Sequence, residues 1–288
     1  MTMATGFATE VLPAARGHAR FVLRRPGLLL SLVMFALVLL AALFPGLFTD
    51  DDPLVGTPRE KLRGPSAEHL FGTDQLGRDL FTRVVHASSL SLRATFVAVA
   101  VALVVGGLLG LVSGFFGGWL DDVVMRVVDV LQAIPRLLLS LALVSALGFG
   151  TTKVAIAVGV ASVAGFARVM RAEVLRVRSS VYVEAARASG VRSGGILARH
   201  VLPNASGPVL VMAALEFGIA ILSVSALSFL GFGAPPPTPE WGVLVADGRN
   251  FVATAWWLTT FPGLVIAATV LSANRISRAL DGERRQDR

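Results

Sequence analysis

Residues 182–204 read YVEAARASGVRSGGILARHVLPN, a polar interlude of Arg, Ser and Gly set between two long apolar runs. The pattern predicts a helix, a turn and a second helix. Glu184, Ala185 and Ala186 are good helix formers, and Ser179 and Ser180 are placed to cap the first helix. Gly190 supplies the left-handed conformation that ends it. Ser193 is placed to cap the second helix. That helix is expected to stop near Leu202, because Pro203 restricts the residue before it and donates no backbone hydrogen bond.

The rest of the composition puts this hairpin in a membrane protein. Of 288 residues, 54% are hydrophobic and only 16% charged, with a mean hydropathy of +0.71. This is too apolar for a water-soluble domain of that length. The formal charge of +7 comes almost wholly from Arg, and these residues sit at the ends of apolar runs rather than in one patch, which argues against a nucleic-acid surface. There is no Cys. His18, His69, His86 and His200 are widely scattered, so no metal centre is expected from spacing.

Outward from the hairpin, six apolar runs are expected to span the bilayer, at about 1.5 Å per residue. The first, residues 27–48, follows an Arg-rich arm and is too long for the core of a secretory signal peptide. Residues 49–93 are expected to form a solvated loop. The second run, 94–116, places Gly106, Gly110 and Gly114 four apart, a spacing that lets another helix approach closely. After a short turn at 117–126, the third run, 127–147, is interrupted by Asp129, Gln132, Pro135 and Arg136. The fourth begins at 151–153 and keeps a helical pattern beyond Arg168 through Met170, Val174, Leu175 and Val177, so it is expected to project from the membrane into the hairpin. The fifth is expected to start at Gly207 and Pro208 and contains Glu216. Pro235, Pro236 and Pro237 favour an extended path after it. Trp256 and Trp257 open the sixth run at an interface, and the charged residues from Arg275 onward are expected to fray.

The hairpin resembles the signature of the integral-membrane permease subunits of ATP-binding-cassette (ABC) importers: Glu-Ala-Ala, three residues, Gly, nine residues, Ile-x-Leu-Pro. Glu184, Ala185, Ala186, Gly190, Leu202 and Pro203 occupy its positions, with His200 at that of the Ile, and the HxLPN ending is similar to the dipeptide and oligopeptide branch. FGTDQLGRD, followed by SLSLR, resembles the N-terminal segment of the permease type with a short arm. That resemblance turns Gly72, Thr73, Asp74, Gly77, Arg78 and Asp79 into an extracytoplasmic motif, structural or facing a binding protein; Asp74 and Arg78 are four apart and able to pair on a helix. ALSFLGFGAPPPTPEWGVLVADGRN at 226–250 resembles the outer loop after the fifth helix, although Val224 stands where the family commonly has an acid.

The resemblance implies an all-α bundle of six transmembrane helices with the type I importer permease fold. It divides the chain into 1–93 (arm, first helix and outer segment), 94–281 (permease core with a cytoplasmic coupling loop at 171–206) and 282–288 (tail). It also implies a second homologous permease, two ATPase subunits holding ATP and magnesium, and an extracytoplasmic binding protein, with no cofactor in this chain. The positive-inside rule orients it: seventeen Lys and Arg lie on the side of the hairpin and both termini against eight on the other, which places the hairpin in the cytoplasm, and the resemblance implies the plasma membrane of a prokaryotic cell.

No nucleotide site is readable, because GFGTTK at 148–153 lacks the Gly before Lys153 and the hydroxyl residue after it. No catalytic constellation is readable either, so a non-catalytic pore subunit is expected, importing dipeptides or oligopeptides, or by the same machinery nickel chelates, haem or sugars. An ion-coupled secondary carrier is the reading from another class, suggested by Arg136 and Glu216, the charges placed to lie inside the membrane. Their depths match if both helices start at the cytoplasmic face. They are therefore expected to be close enough to interact and to border the translocation path.

Overall fold

Backbone N–H and C=O groups placed in hydrocarbon find no water, so the apolar runs close their hydrogen bonds internally as helices. The computed structural model describes residues 26–286, so the Arg-rich arm lies outside the described residues. The first helices are α1 (Pro26–Leu43) and α2 (Leu80–Val101), the latter continuing through a π turn (Ala102–Gly106) into α3 (Gly107–Phe116). Then come α4 (Gly118–Ala133), α5 (Arg136–Leu147) and α6 (Thr151–Arg178). The hairpin holds α7 (Val181–Ala188) and α8 (Ser193–Ile196) and leads through a second π turn (Leu197–Val201) into α9 (Leu202–Leu227). A short α10 (Trp241–Gly248) precedes α11 (Trp257–Gln286). Five of these helical stretches are long and apolar enough to cross a membrane, and six if the bent pair α4 and α5 counts as one span.

Several expected boundaries move. The loop after α1 ends at Asp79, whose carboxylate caps α2 by accepting from Thr82 N–H at 2.7 Å, so residues 80–93 are helix. The third run is not straight. α4 begins inside the expected turn, and the pair bends by 97° at Ile134 and Pro135, where proline lacks the N–H that would continue the ladder. Pro203 does not stop its helix, and Pro208 lies inside α9 rather than at its start. The π turn just before Pro203 re-spaces the backbone bonds, so the chain runs helically from Ser193 to Phe232. Thr238 N–H bonds to Pro235 O at 3.2 Å, so the proline run makes a turn where an extended path was expected. α11 continues through the charged tail to Gln286 instead of fraying at Arg275.

The glycine row now has its partner. A Cβ on Gly106 would lie 2.5 Å from Val163 O, on Gly110 2.2 Å from Ala167 O, and on Gly114 3.0 Å from Arg171 O, so α3 rides directly on the backbone of α6. Beside that contact, Arg171 forks onto Asp121 with two bonds of 2.6 Å. Arg178 Nη1 reaches the last carbonyls of α3, at Gly114 and Phe115. We expect Gly110→Leu to cost about 1–3 kcal/mol through overpacking, and more if the two backbones must part. Gly107→Leu, whose Cβ first meets the flexible Met170 tip at 3.7 Å, should be tolerated. Thermal stability of the two variants in detergent checks this; equal midpoints would refute it.

Candidate functional site

Three places on the bundle gather the candidate side chains. The first is the hairpin. Val183, Ile196 and Val201 are buried and pack with Met170, Val174 and Val177 of α6, and this apolar underside fixes the hairpin on the end of the bundle. The opposite face is bare: Val181 is 81% exposed and Tyr182 46% exposed. Glu184, Ala185, Gly190, Leu202 and Pro203 share that exposure, with Ala186 half-buried. Gly190 has φ +79°, and its N–H bonds to Arg187 O at 3.0 Å, closing α7 as its position requires. The expected serine caps are absent: Ser180 Oγ turns back to Val177 O at 2.6 Å, and the residue before α8 is Arg192.

The second lies where the bend between α4 and α5 leaves Arg136 as the first residue of α5. A cation there opposes the helix dipole. Glu216 of α9 answers it. Arg136 Nη1 donates to Glu216 Oε1 at 2.6 Å, and Ser162 Oγ of α6 donates to the same oxygen at 2.9 Å. Three helices meet at one carboxylate. Glu216 is 5% exposed and Arg136 38% exposed, so the pair is closed on the Glu216 side and open on the Arg136 side. The structure thus brings together two residues 80 apart in sequence, although the third helix is broken where the depth argument took it as straight.

The third lies at the far end, where residues 44–79 lie over α2, α10 and α11. Here the motif residues turn inward. Thr73 and Asp74 are buried, and Asp74 accepts from Leu76 N–H at 2.8 Å, Arg78 N–H at 3.0 Å and Arg78 Nε at 2.6 Å. Asp74 and Arg78 pair, but within a turn and not on a helix as expected. Gly72 and Gly77 have φ of +76° and +75°, and a Cβ on Gly77 would come 2.0 Å from Thr57 O. Arg83 sits beside this pair, its Nη1 donating to Pro53 O at 3.1 Å. Burial pushes the nearby Asp247 carboxyl above the usual carboxylate range, against the opposing pull of Arg83 and Arg78. Of the two tryptophans expected at an interface, Trp256 is 51% exposed, whereas Trp257 is buried and its Nε1 donates to Thr73 O at 3.2 Å.

One carboxylate escaped the sequence reading. Glu240 is fully buried and accepts from Thr151 Oγ1, Ser228 Oγ and Ala234 N–H, joining the start of α6 to the end of α9. The next residue, Trp241, donates its N–H to Ser91 Oγ and its Nε1–H to Val84 O, each at 3.1 Å, and so brings α2 into the same tie. The available signal was that Glu240 is the lone charge between Glu216 and Asp247.

Residues 106–286 match the family described as the binding-protein-dependent transport system inner membrane component. The chain belongs to this family. It is a multi-pass membrane permease, 41% identical over 252 residues, 88% of this chain and 83% of the other, to the dipeptide transport system permease protein DppC of Alkalihalophilus pseudofirmus. The permease is also 40% identical to the probable D,D-dipeptide transport system permease protein DdpC of Escherichia coli, over 85% of this chain and 82% of that one. Its fold is that of a type I importer permease. The MetNI methionine ABC transporter superposes with a TM-score of 0.53 at 22% identity, covering 69% of this chain and 96% of its own. An amino acid ABC transporter superposes with the same score at 18% identity, over 72% and 94%.

Proposed function

We propose that this chain is the permease subunit of an ATP-driven importer that forms, with a second permease, the membrane path for dipeptides or oligopeptides. The observation that carries the reading is the hairpin: an apolar underside packed on α6 and continuous with α9, and a bare outer face bearing Glu184, Val181 and Gly190. Such a face takes up a partner's cleft and passes its motion to two long helices at once. ATP and magnesium belong to that partner. The names of the dipeptide relatives supply the substrate class. A binding protein delivers the peptide at the far end of the bundle. Division of the chain at 93 and 281, with a coupling loop at 171–206, belongs to the same reading.

The path runs past Arg136 and Glu216. A helix broken at mid-depth is tolerated where its backbone is covered by protein or lines an aqueous cavity, and the open side of Arg136 favours the second. A cation exposed there is placed to meet a peptide carboxylate.

Two measurements test this function. Purification of the chain is expected to bring with it a subunit that hydrolyses ATP, and proteoliposomes of that complex should take up a labelled dipeptide only with ATP and a binding protein. Uptake driven by a proton or sodium gradient without ATP would make it an ion-coupled carrier instead. Orientation is read from single cysteines in this Cys-free chain. Leu70, 57% exposed at the far end, and Ser189 in the hairpin are the reporters. In intact cells Leu70→Cys should react with an impermeant thiol reagent, and Ser189→Cys only after the membrane is opened. The reverse pattern would invert the topology.

A further inference from the structure

The four histidines are scattered along the sequence, and that scatter argued against a metal centre; in space His69 is joined by carboxylates. Glu60, at the end of a short 3-10 turn, Glu68 and His69 each offer one ligand atom, all within 4.8 Å of one another. The ring is held in place from behind. Asp79 Oδ2 lies 3.0 Å from His69 Nδ1, while the other oxygen of that carboxylate accepts from Thr82 N–H. A carboxylate used as an acceptor on both oxygens takes the proton of Nδ1, and this aims Nε2 away from Asp79.

That nitrogen is the unexplained atom. Nε2 is closed to solvent and has no hydrogen-bond partner among the described residues, in a side chain only 14% exposed. Glu60 Oε2 faces it at 3.6 Å, beyond hydrogen-bond reach. The spacing suits a shared cation, because two ligands about 2.0–2.2 Å from one tetrahedral ion stand roughly 3.3–3.5 Å apart. The loop frame is already set. Ser66 Oγ accepts from His69 N–H at 3.0 Å, Gly72 N–H bonds to His69 O at 2.9 Å, and the Glu60 carbonyl accepts from Thr73 Oγ1. Arg63 Nη1, 3.3 Å from Glu60 Oε1, leaves the other oxygen to the site. Glu68 is exposed and closes the set from the solvent side.

We propose that Glu60, Glu68 and His69 bind one divalent transition cation of the zinc class, with Asp79 as the positioning residue behind the imidazole. A neutral ring nitrogen with two carboxylates selects ions such as Zn2+, Co2+ or Ni2+ over Mg2+ or Ca2+, which take oxygen alone. The absence of Cys removes thiolates as competitors. The ion clips the loop that starts at Pro58 to the turn that precedes α2, and so stiffens the surface at the far end of the permease.

The full chain, purified in detergent without a polyhistidine tag, is titrated with Zn2+ by calorimetry and with Co2+ by visible absorption. One Zn2+ per chain is expected, with Co2+ ligand-field bands that Zn2+ displaces. His69→Gln and Glu68→Gln should each weaken binding by about tenfold or more, while His86→Gln and His200→Gln leave it unchanged. Glu68 is exposed, so its variant keeps the fold even where the His69 variant does not. Absence of Zn2+ binding by the unaltered chain, or equal affinity in Glu68→Gln, overturns the proposal.

Discussion

Glu216→Arg is expected to abolish peptide uptake, Arg136→Glu to do the same, and the double exchange to recover part of it. In Glu216→Arg two guanidiniums face each other at a site where one carboxylate now accepts from Arg136 and Ser162. Loss of a charge-assisted bond costs about 1.5–3 kcal/mol, and the replacement adds like-charge repulsion in a buried pocket. The openness of Arg136 keeps this below the cost of a fully buried pair. Uptake should therefore fall at least tenfold in each single variant while the chain still inserts. In the double variant the bond can re-form with its ends reversed, but Ser162 then faces a guanidinium, and an anion at the first residue of α5 suits the helix dipole. Partial recovery follows. If both single variants transport normally, neither the pair nor its place beside the path matters for function.

Gly190→Val should leave the permease folded and inserted yet reduce ATP-driven uptake by more than tenfold. The reason is backbone geometry alone. No atom lies within 4 Å of the Cβ that would be added, so nothing is displaced, but φ of +79° costs an ordinary L-residue about 1–2 kcal/mol and a β-branched one more. The turn between α7 and α8 relieves that strain by moving, and the exposed face that it shapes moves with it. Gly190→Asn is the control, since Asn tolerates the left-handed region; it should keep most of the uptake. Wild-type uptake together with wild-type stimulated ATPase activity in the Val variant would remove the hairpin from the coupling route.

By itself the sequence determined the membrane class, the helical architecture, the hairpin and the family resemblance. These rest on local quantities: runs of apolar residues, a left-handed glycine, and a motif contained in 23 residues. It also pointed to Arg136 and Glu216, because a charge inside an apolar run is costly and needs a partner. Helix ends were less legible. Pro203 read as a stop and Pro208 as a start, yet a π turn carries the helix past the first and the second lies inside α9, and Pro135, one interruption among several, breaks its helix by 97°. Only the tertiary structure decided which glycine row meets which backbone, that Ser162 completes the Arg136–Glu216 site, that Glu240 ties three segments, and that His69 meets Glu60 and Glu68 on one side and Asp79 on the other. Each of these depends on separate segments meeting in space. Propensity and periodicity are read along the chain, whereas the cost of an unpaired buried charge or an overcrowded Cβ is set by whichever helix packs across from it.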